Sequence, residues 1–198
     1  MSTVVMHAVV SVDGFIADDN DEVGPLFDWY FNGDTPLFEG SDGSVHPDMR
    51  VSARSAVYVK PFWDRIRCAV VGRVLFDLTN GWEARPPACD DLVVVSHRPR
   101  PEGWHPEADV PFVDDVSKAI RVARDRAGDG VVALSAGNAA GQALGLGLVD
   151  YVAMDVVPVV FGSGKRYFGD VPGRRMLEDP DVVVQGDRVL HLRYPVRR

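Results

Sequence analysis

Cysteine is nearly absent from the chain. Cys68 lies inside an apolar run and Cys89 in a proline-rich loop, and two cysteines in 198 residues make neither a disulfide framework nor a metal-binding spacing. We therefore expect reduced thiols and no metal site. Basic residues are also short: 21 Lys and Arg against 29 Asp and Glu leave a net charge of −8, which argues against a general nucleic-acid or anionic-membrane surface. Any anion must then be met by a local basic pocket. No stretch reaches the ~18 apolar residues of a membrane helix. The opening MSTVVMHAVVSVDGF lacks a basic leader and carries His7 within its apolar part, so the expectation is a soluble, cytoplasmic protein. Repeats, low-complexity tracts and long linkers are missing as well. The length suits one well-buried core spanning 1–198 and is short for two domains.

What is present centres on RCAVVGRVLFD, Arg67 to Asp77. A short apolar strand, Cys68 to Val71, stops at Gly72 and hands over to Arg73 at the mouth of a helix. That places backbone N–H groups, the positive end of a helix dipole and a guanidinium at one point, which suits phosphate. A second basic turn, Ser96-His97-Arg98, follows a second strand, and a small-residue turn, Ser135-Ala136-Gly137-Asn138, follows a third.

In chain order, Val4 to Val12 reads as a strand covered on both faces and ends at Asp13-Gly14. Phe15-Ile16-Ala17 and the acidic DDNDEVGP then form a loop expected to be mobile. LFDWYFNGDTPLF carries Phe27, Trp29, Tyr30, Phe31 and Phe38, either a helix pinned to the core or the wall of a planar-ligand site with Asp28 facing it. Residues 39–46 read as a Gly/Ser/Asp loop and Asp48 to Lys60 as a helix ending before Pro61. Leu92 to Ser96 is a buried strand that empties into HRPRPEGW. Val110 to Val113 is a short edge-type strand. Asp114-Asp115 caps a helix whose Val116, Ala119, Ile120, Val122 and Ala123 recur at helical spacing up to Gly128. Val131 to Leu134 is a strand, Ala139 to Leu148 a small-residue helix, and Asp150 to Val160 a strand interrupted at Pro158. Val182 to Gln185 and Val189 to Tyr194 flank Gly186-Asp187 as a terminal hairpin. Alternating strands and helices predict an α/β fold, a doubly wound, mostly parallel sheet with a C-terminal antiparallel hairpin. Ligands sit beyond the carboxyl ends of strands in such sheets, where all three turns fall.

The segments VVSVDGFIADDND, AVVGRVLFD, VVVSHRP and LSAGNAAGQALGLGLVDYVAMDVVPVVFGSGKRYF, spanning Val4 to Phe168, resemble the dihydrofolate reductase superfamily. Within it the similarity is greater to RibD C-terminal-like, bacterial bifunctional deaminase-reductase domain proteins. The resemblance implies a dihydrofolate reductase-like fold, NADPH as cofactor, hydride transfer to a flat heterocycle, and homodimers formed through sheet edges. Position by position it implies that Val9 and Ile16 touch the nicotinamide, and that Gly72, Arg73 and Val74 meet the phosphates. Ser96, His97 and Arg98 would hold the 2′-phosphate and adenine, and Ser135, Ala136, Gly137, Asn138 and Ala139 would cradle the diphosphate. Two departures stand out: Val74 where the family often has a hydroxyl residue, and Ala136-Gly137 where it usually has a Gly-Gly pair, joined in dihydrofolate reductases by a cis bond.

Hydride reduction of a C=N or C=O bond also needs a proton. Candidates are Asp28 in the aromatic segment, His7 on the first strand and Asp13 at its end, with water as a further source. Phe27 and Trp29 are candidate substrate contacts, and Lys165 could meet a substrate phosphate. GSGK is no P-loop, because four residues between the glycines and a following Ser or Thr are missing. No H-x-E with P-C-x-x-C pattern is present, so a deaminase half is absent from this chain. The substrate reading is pterin-like or ribosylaminopyrimidine-like, the latter being the 5-amino-6-(5-phosphoribosylamino)uracil reductase step of riboflavin biosynthesis. Alternatives are a slow or non-catalytic NADPH-binding sensor and a flavin- or quinone-type reductase.

Overall fold

β1 (Thr3–Ser11) runs through the middle of an eight-stranded sheet, the place its nearly continuous run of apolar residues demands. The computed structural model describes residues 2–38 and 48–197, so the Gly/Ser/Asp loop expected at 39–46 lies outside the described residues. Beside β1 stand β8 (Val131–Ser135) and β9 (Tyr151–Val157), both parallel to it. Beyond β8 follow β5 (Ile66–Gly72), β6 (Asp91–Val95) and β7 (Phe112–Val113), again parallel. On the far side of β9, β12 (Val189–Pro195) and β11 (Val182–Gly186) close the sheet as the expected antiparallel hairpin. The sheet order is therefore β11-β12-β9-β1-β8-β5-β6-β7. Because the six central strands point one way, Ser11, Gly72, Val95, Ser135 and Val157 all end on one edge.

Alternation along β1 divides the core. Val4, Met6 and Val10 pack on one face with α3 (Val116–Ala127), α4 (Asn138–Gly145) and Tyr167. On the other face Val5 meets Phe62 of α1 (Ala53–Trp63), while Val9 meets Leu26 and Trp29 of a 3-10 helix, Gly24–Phe31. His7 projects between these two apolar groups. The α3 boundaries follow the sequence expectation: Asp115 accepts the Lys118 amide at 2.8 Å, and Gly128 ends the helix at φ +60°. α1 differs from expectation at both ends, starting at Ala53 rather than Asp48 and continuing through Pro61. That residue is exposed and sits in the last turn, so its missing N–H removes a bond only where the helix meets water.

The acidic loop expected to be mobile is tied down instead. β2 (Phe15–Ala17) pairs with β10 (Lys165–Arg166), and Ser163 Oγ donates to Asp19 Oδ2 at 2.5 Å. Lys165 Nζ lies 3.6 Å from Asp21 Oδ1. A short antiparallel pair, β3 (Thr35–Pro36) with β4 (Arg50–Val51), completes the strands. Cys68 and Cys89 are free thiols, both pushed up to about 12 chiefly by burial. No helix among the described residues is long and apolar enough to cross a membrane.

Candidate functional site

Two of the three predicted turns meet. α2 (Arg73–Thr79) begins directly after Gly72, and Arg73 extends to the turn that follows β6. Its Nη1 donates to the Pro99 carbonyl at 2.9 Å and approaches Ser96 Oγ at 3.4 Å, while its guanidinium lies over the Phe76 and Phe112 rings. Ser96 Oγ accepts the Arg98 amide at 3.0 Å and donates to the Arg98 carbonyl at 2.7 Å, which fixes the turn. His97 and Arg98 are exposed above it. A carboxylate completes the group: Asp77, one turn into α2, takes Arg73 Nε on one oxygen and Arg98 Nη2 on the other. Partial desolvation would raise this carboxyl, but hydrogen bonds and charge from the two arginines hold it below the ordinary range.

The third turn adjoins on β8, the neighbour of β5. Its Ala136-Gly137 bond is trans, as are all peptide bonds among the described residues. Gly137 adopts φ +110°, donates to the Tyr167 carbonyl at 2.7 Å, and has Ile16 Cδ1 3.7 Å from where a Cβ would stand. Asn138 does not face the arginines. Its Oδ1 instead accepts the Asp170 amide at 3.2 Å, because the chain at Gly169 packs directly on it. Ser135 and Ala136 are partly covered, and Ala136 and Ala139 pack against the core. Val74 is exposed on α2.

A dinucleotide phosphate fits this rim. Gly72 has open space where a Cβ would project, no side chain caps the start of α4, and two guanidiniums stand at the neighbouring turn. Val9, by contrast, is buried beneath Leu26 and Trp29.

The three proton-donor candidates differ sharply. Asp13 is exposed, accepts Ser11 Oγ at 2.6 Å and the Gly162 and Phe161 amides at 2.7 and 3.2 Å, and its carboxyl is lowered first by the Ser11 hydroxyl. It is a loop anchor. Asp28 is exposed and has no hydrogen-bond partner among the described residues. His7 Nε2 lies 2.9 Å from Asp155 Oδ2 on β9, and its ring meets Phe62 edge-on at 5.3 Å. Burial would raise the Asp155 carboxyl, yet the charge of His7 and hydrogen bonds from His191 and His7 take it well below the carboxylate range. Trp29 needs correction as a substrate contact: it is 1% exposed, stacked on Tyr30 at 4.0 Å, and belongs to the core. Phe27, on the same helix, is exposed, and Lys165 points to the acidic loop. Sequence reasoning missed Asp77, Asp155 and His191. An acidic residue inside the apolar run YVAMDVV was the available signal for Asp155.

No protein-family model matches the chain, nor does any curated protein sequence. Solved structures do. A candidate riboflavin biosynthesis protein from Shewanella sp. PV-4 superposes with a TM-score of 0.67 over 100% of both chains at 16% identity. The chain has the fold of RibD-type reductases. A Thermotoga maritima diaminohydroxyphosphoribosylaminopyrimidine deaminase/5-amino-6-(5-phosphoribosylamino)uracil reductase is similar over 99% of this chain and 57% of its own, with TM-score 0.64 and 15% identity. This chain thus spans a little over half of that RibD-type protein. A pyrimidine reductase-like protein from Corynebacterium diphtheriae gives TM-score 0.61 at 14% identity over 100% of this chain and 92% of that one.

Proposed function

We propose that the protein is an NADPH-dependent reductase of a small heterocycle, pterin-like or ribosylaminopyrimidine-like. One observation carries this reading: Arg73 and Arg98, from turns after two different strands, converge beside the open Gly72 on the carboxyl edge of the sheet. The RibD-type fold supports it. The arginines would hold the 2′-phosphate, Gly72 and the start of α4 the diphosphate, and Ile16 with Gly137 the inner end of the cofactor. When bound, the dihydronicotinamide supplies hydride.

His7 is the proton donor that the geometry favours. It stands on the central strand, is partly exposed, and has one ring nitrogen free of Asp155. Asp13 is engaged by three donors, and Asp28 is exposed with no hydrogen-bond partner among the described residues. The β2–β10 pair would shield the reacting centre from water, because Gly137 packs on Ile16 of that pair.

Titration of the protein with NADPH and with NADH, followed by fluorescence of its four tryptophans, tests the cofactor assignment. Saturable binding that favours NADPH is expected, and equal or absent binding removes the reading. Oxidation of NADPH with a panel of pterins and ribosylaminopyrimidines then tests the reaction.

A further inference from the structure

Four side chains far apart in sequence form one continuous chain of hydrogen bonds through the core. Ser55 Oγ of α1 lies 2.9 Å from His191 Nε2 of β12. His191 Nδ1 lies 2.6 Å from Asp155 Oδ1, and Asp155 Oδ2 lies 2.9 Å from His7 Nε2. The first three have the order of a hydrolase triad, Ser-His-Asp. Burial rules that use out. Ser55 is 1% exposed, and the chain at Gly186 covers its hydroxyl so closely that even a Cβ there would collide with it. An acyl group cannot reach that oxygen. The other end is the open one, since the His7 side chain is 16% exposed against 3% for Asp155 and 0% for His191.

The protons along this chain can be assigned from its partners. Ser52 Oγ caps α1, accepting the Ser55 amide at 3.3 Å, and donates to Ser55 Oγ at 3.2 Å. Ser55 therefore donates onward to His191 Nε2. With the Ser55 proton given to Nε2, the proton left to His191 is the one on Nδ1, 2.6 Å from Asp155 Oδ1. A carboxylate buried this deeply needs a positive partner. Among the described residues no other group provides one, and Tyr167 is a phenol raised first by burial that donates to the Met6 and Ala153 carbonyls. Tyr58 of α1 and Tyr30 of the 3-10 helix pack around Asp155 as neutral phenols, both raised first by burial. Arg193 of β12 is held by both oxygens of Asp181 at 2.9 Å, and Lys60 of α1 donates to the Pro36 carbonyl.

We propose that Asp155, oriented by His191 and Ser55, holds His7 as an imidazolium whose Nδ1–H is directed away from Asp155 toward the substrate. Asp155, His191 and Ser55 are then positioning residues and His7 the group that touches substrate. This deepens the reductase reading and rests on it for the identity of the acceptor. A dinucleotide held at the rim would supply the hydride to the carbon of a C=N or C=O bond, and His7 the proton. The π pair moves to the nitrogen or oxygen, which takes the Nδ1 proton. The N–H pair stays on the ring, and neutral His7 recovers a proton from water.

Nitrogen-15 NMR of the histidine rings in the full chain, near pH 7, reads the charge states directly. The expected result is two protonated ring nitrogens for His7 and a single protonated Nδ1 for His191. A neutral His7 beside a doubly protonated His191 overturns the proposal. Asp155→Asn should make His7 neutral at the same pH and move the alkaline limb of NADPH oxidation to lower pH by about one unit or more. An unmoved limb with His7 still charged overturns it. Should Asp155→Asn fail to fold, Ser55→Ala serves in its place: loss of the donor to Nε2 should redistribute the His191 tautomers and shift the limb in the same direction. Unchanged tautomers and an unchanged limb count against the chain. If NADPH fails to bind at all, the reductase reading falls, while the ring spectra still decide whether Asp155 holds His7 charged.

Discussion

Arg73 and Arg98 grip the same carboxylate from opposite sides: Asp77 takes Arg73 Nε on Oδ1 and Arg98 Nη2 on Oδ2, each at 2.7 Å. Asp77 stands where the proposed cofactor would bring its adenosine phosphate, so the protein supplies its own anion to that pocket. Arg98 is 62% exposed and can release Asp77 for an incoming phosphate. Arg73, pinned by Pro99 and two rings, cannot swing away.

Asp77→Asn should therefore tighten NADPH binding by about tenfold and leave NADH nearly unchanged, because it removes the competing charge from a phosphate-specific pocket. Arg98→Ala should weaken NADPH by a similar factor, a charge-assisted bond being worth roughly 1.5–3 kcal/mol. Parallel titrations of both cofactors against both variants measure the difference. Opposite signs for the two variants are the decisive result.

Asp13 joins the end of β1 to a loop nearly 150 positions away, through the Phe161 and Gly162 amides. In Asp13→Ala those amides should exchange with solvent several-fold faster, with little change in the melting temperature of the whole protein. Its carboxyl is lowered, so the tie is complete above the ordinary value of 3.8 and is lost only as pH falls through the lower folded value. Activity between about pH 6 and 8 should consequently show no titration from Asp13. Hydrogen exchange resolved at Phe161 and Gly162 checks the first point.

Asp155 sets an acid limit to stability. Its folded carboxyl lies below the ordinary value of 3.8, so its contribution is fully present above that value and declines as pH falls beneath it. The wild-type protein should lose stability on acidification below about pH 4 more steeply than Asp155→Asn, although the variant starts less stable. Urea unfolding at a series of pH values provides the comparison.

Gly141 lies within α4, where alanine would ordinarily improve helix formation by about 1 kcal/mol. A Cβ there would run into the Phe168 carbonyl. Gly141→Ala should destabilise the fold by roughly 1–3 kcal/mol despite the better propensity. Thermal unfolding decides which effect wins.

Periodicity and turn chemistry made most of the framework legible. β1, α3 with its Asp115 cap, and the terminal hairpin each depend on neighbours within a few residues, and each appears where the sequence put it. The Gly72-Arg73 and Ser96-Arg98 turns were legible for the same reason. What stayed hidden depends on partners remote in sequence. Nothing local to His7 announces Asp155, nothing in the Ser52 cap announces His191, and Asp77 reads as an ordinary exposed helix residue until the β6 turn is folded beside it. The aromatic segment misled in part because a ring-rich helix looks alike whether it faces a ligand or a core. Trp29 turned inward and Phe27 outward.

One hydroxyl, that of Ser52, stands at a junction of three demands. It starts α1 by accepting the Ser55 amide, it receives the Asp187 amide from the terminal turn at 3.4 Å, and it feeds the bond to Ser55 that leads inward to His7. Sequence drift in the 186–188 turn is therefore not free to proceed as it would in an ordinary surface hairpin. A residue bulkier than Gly186 would press on Ser55, and the disturbance would arrive at the far end of the chain as a change in how readily one imidazole parts with its proton.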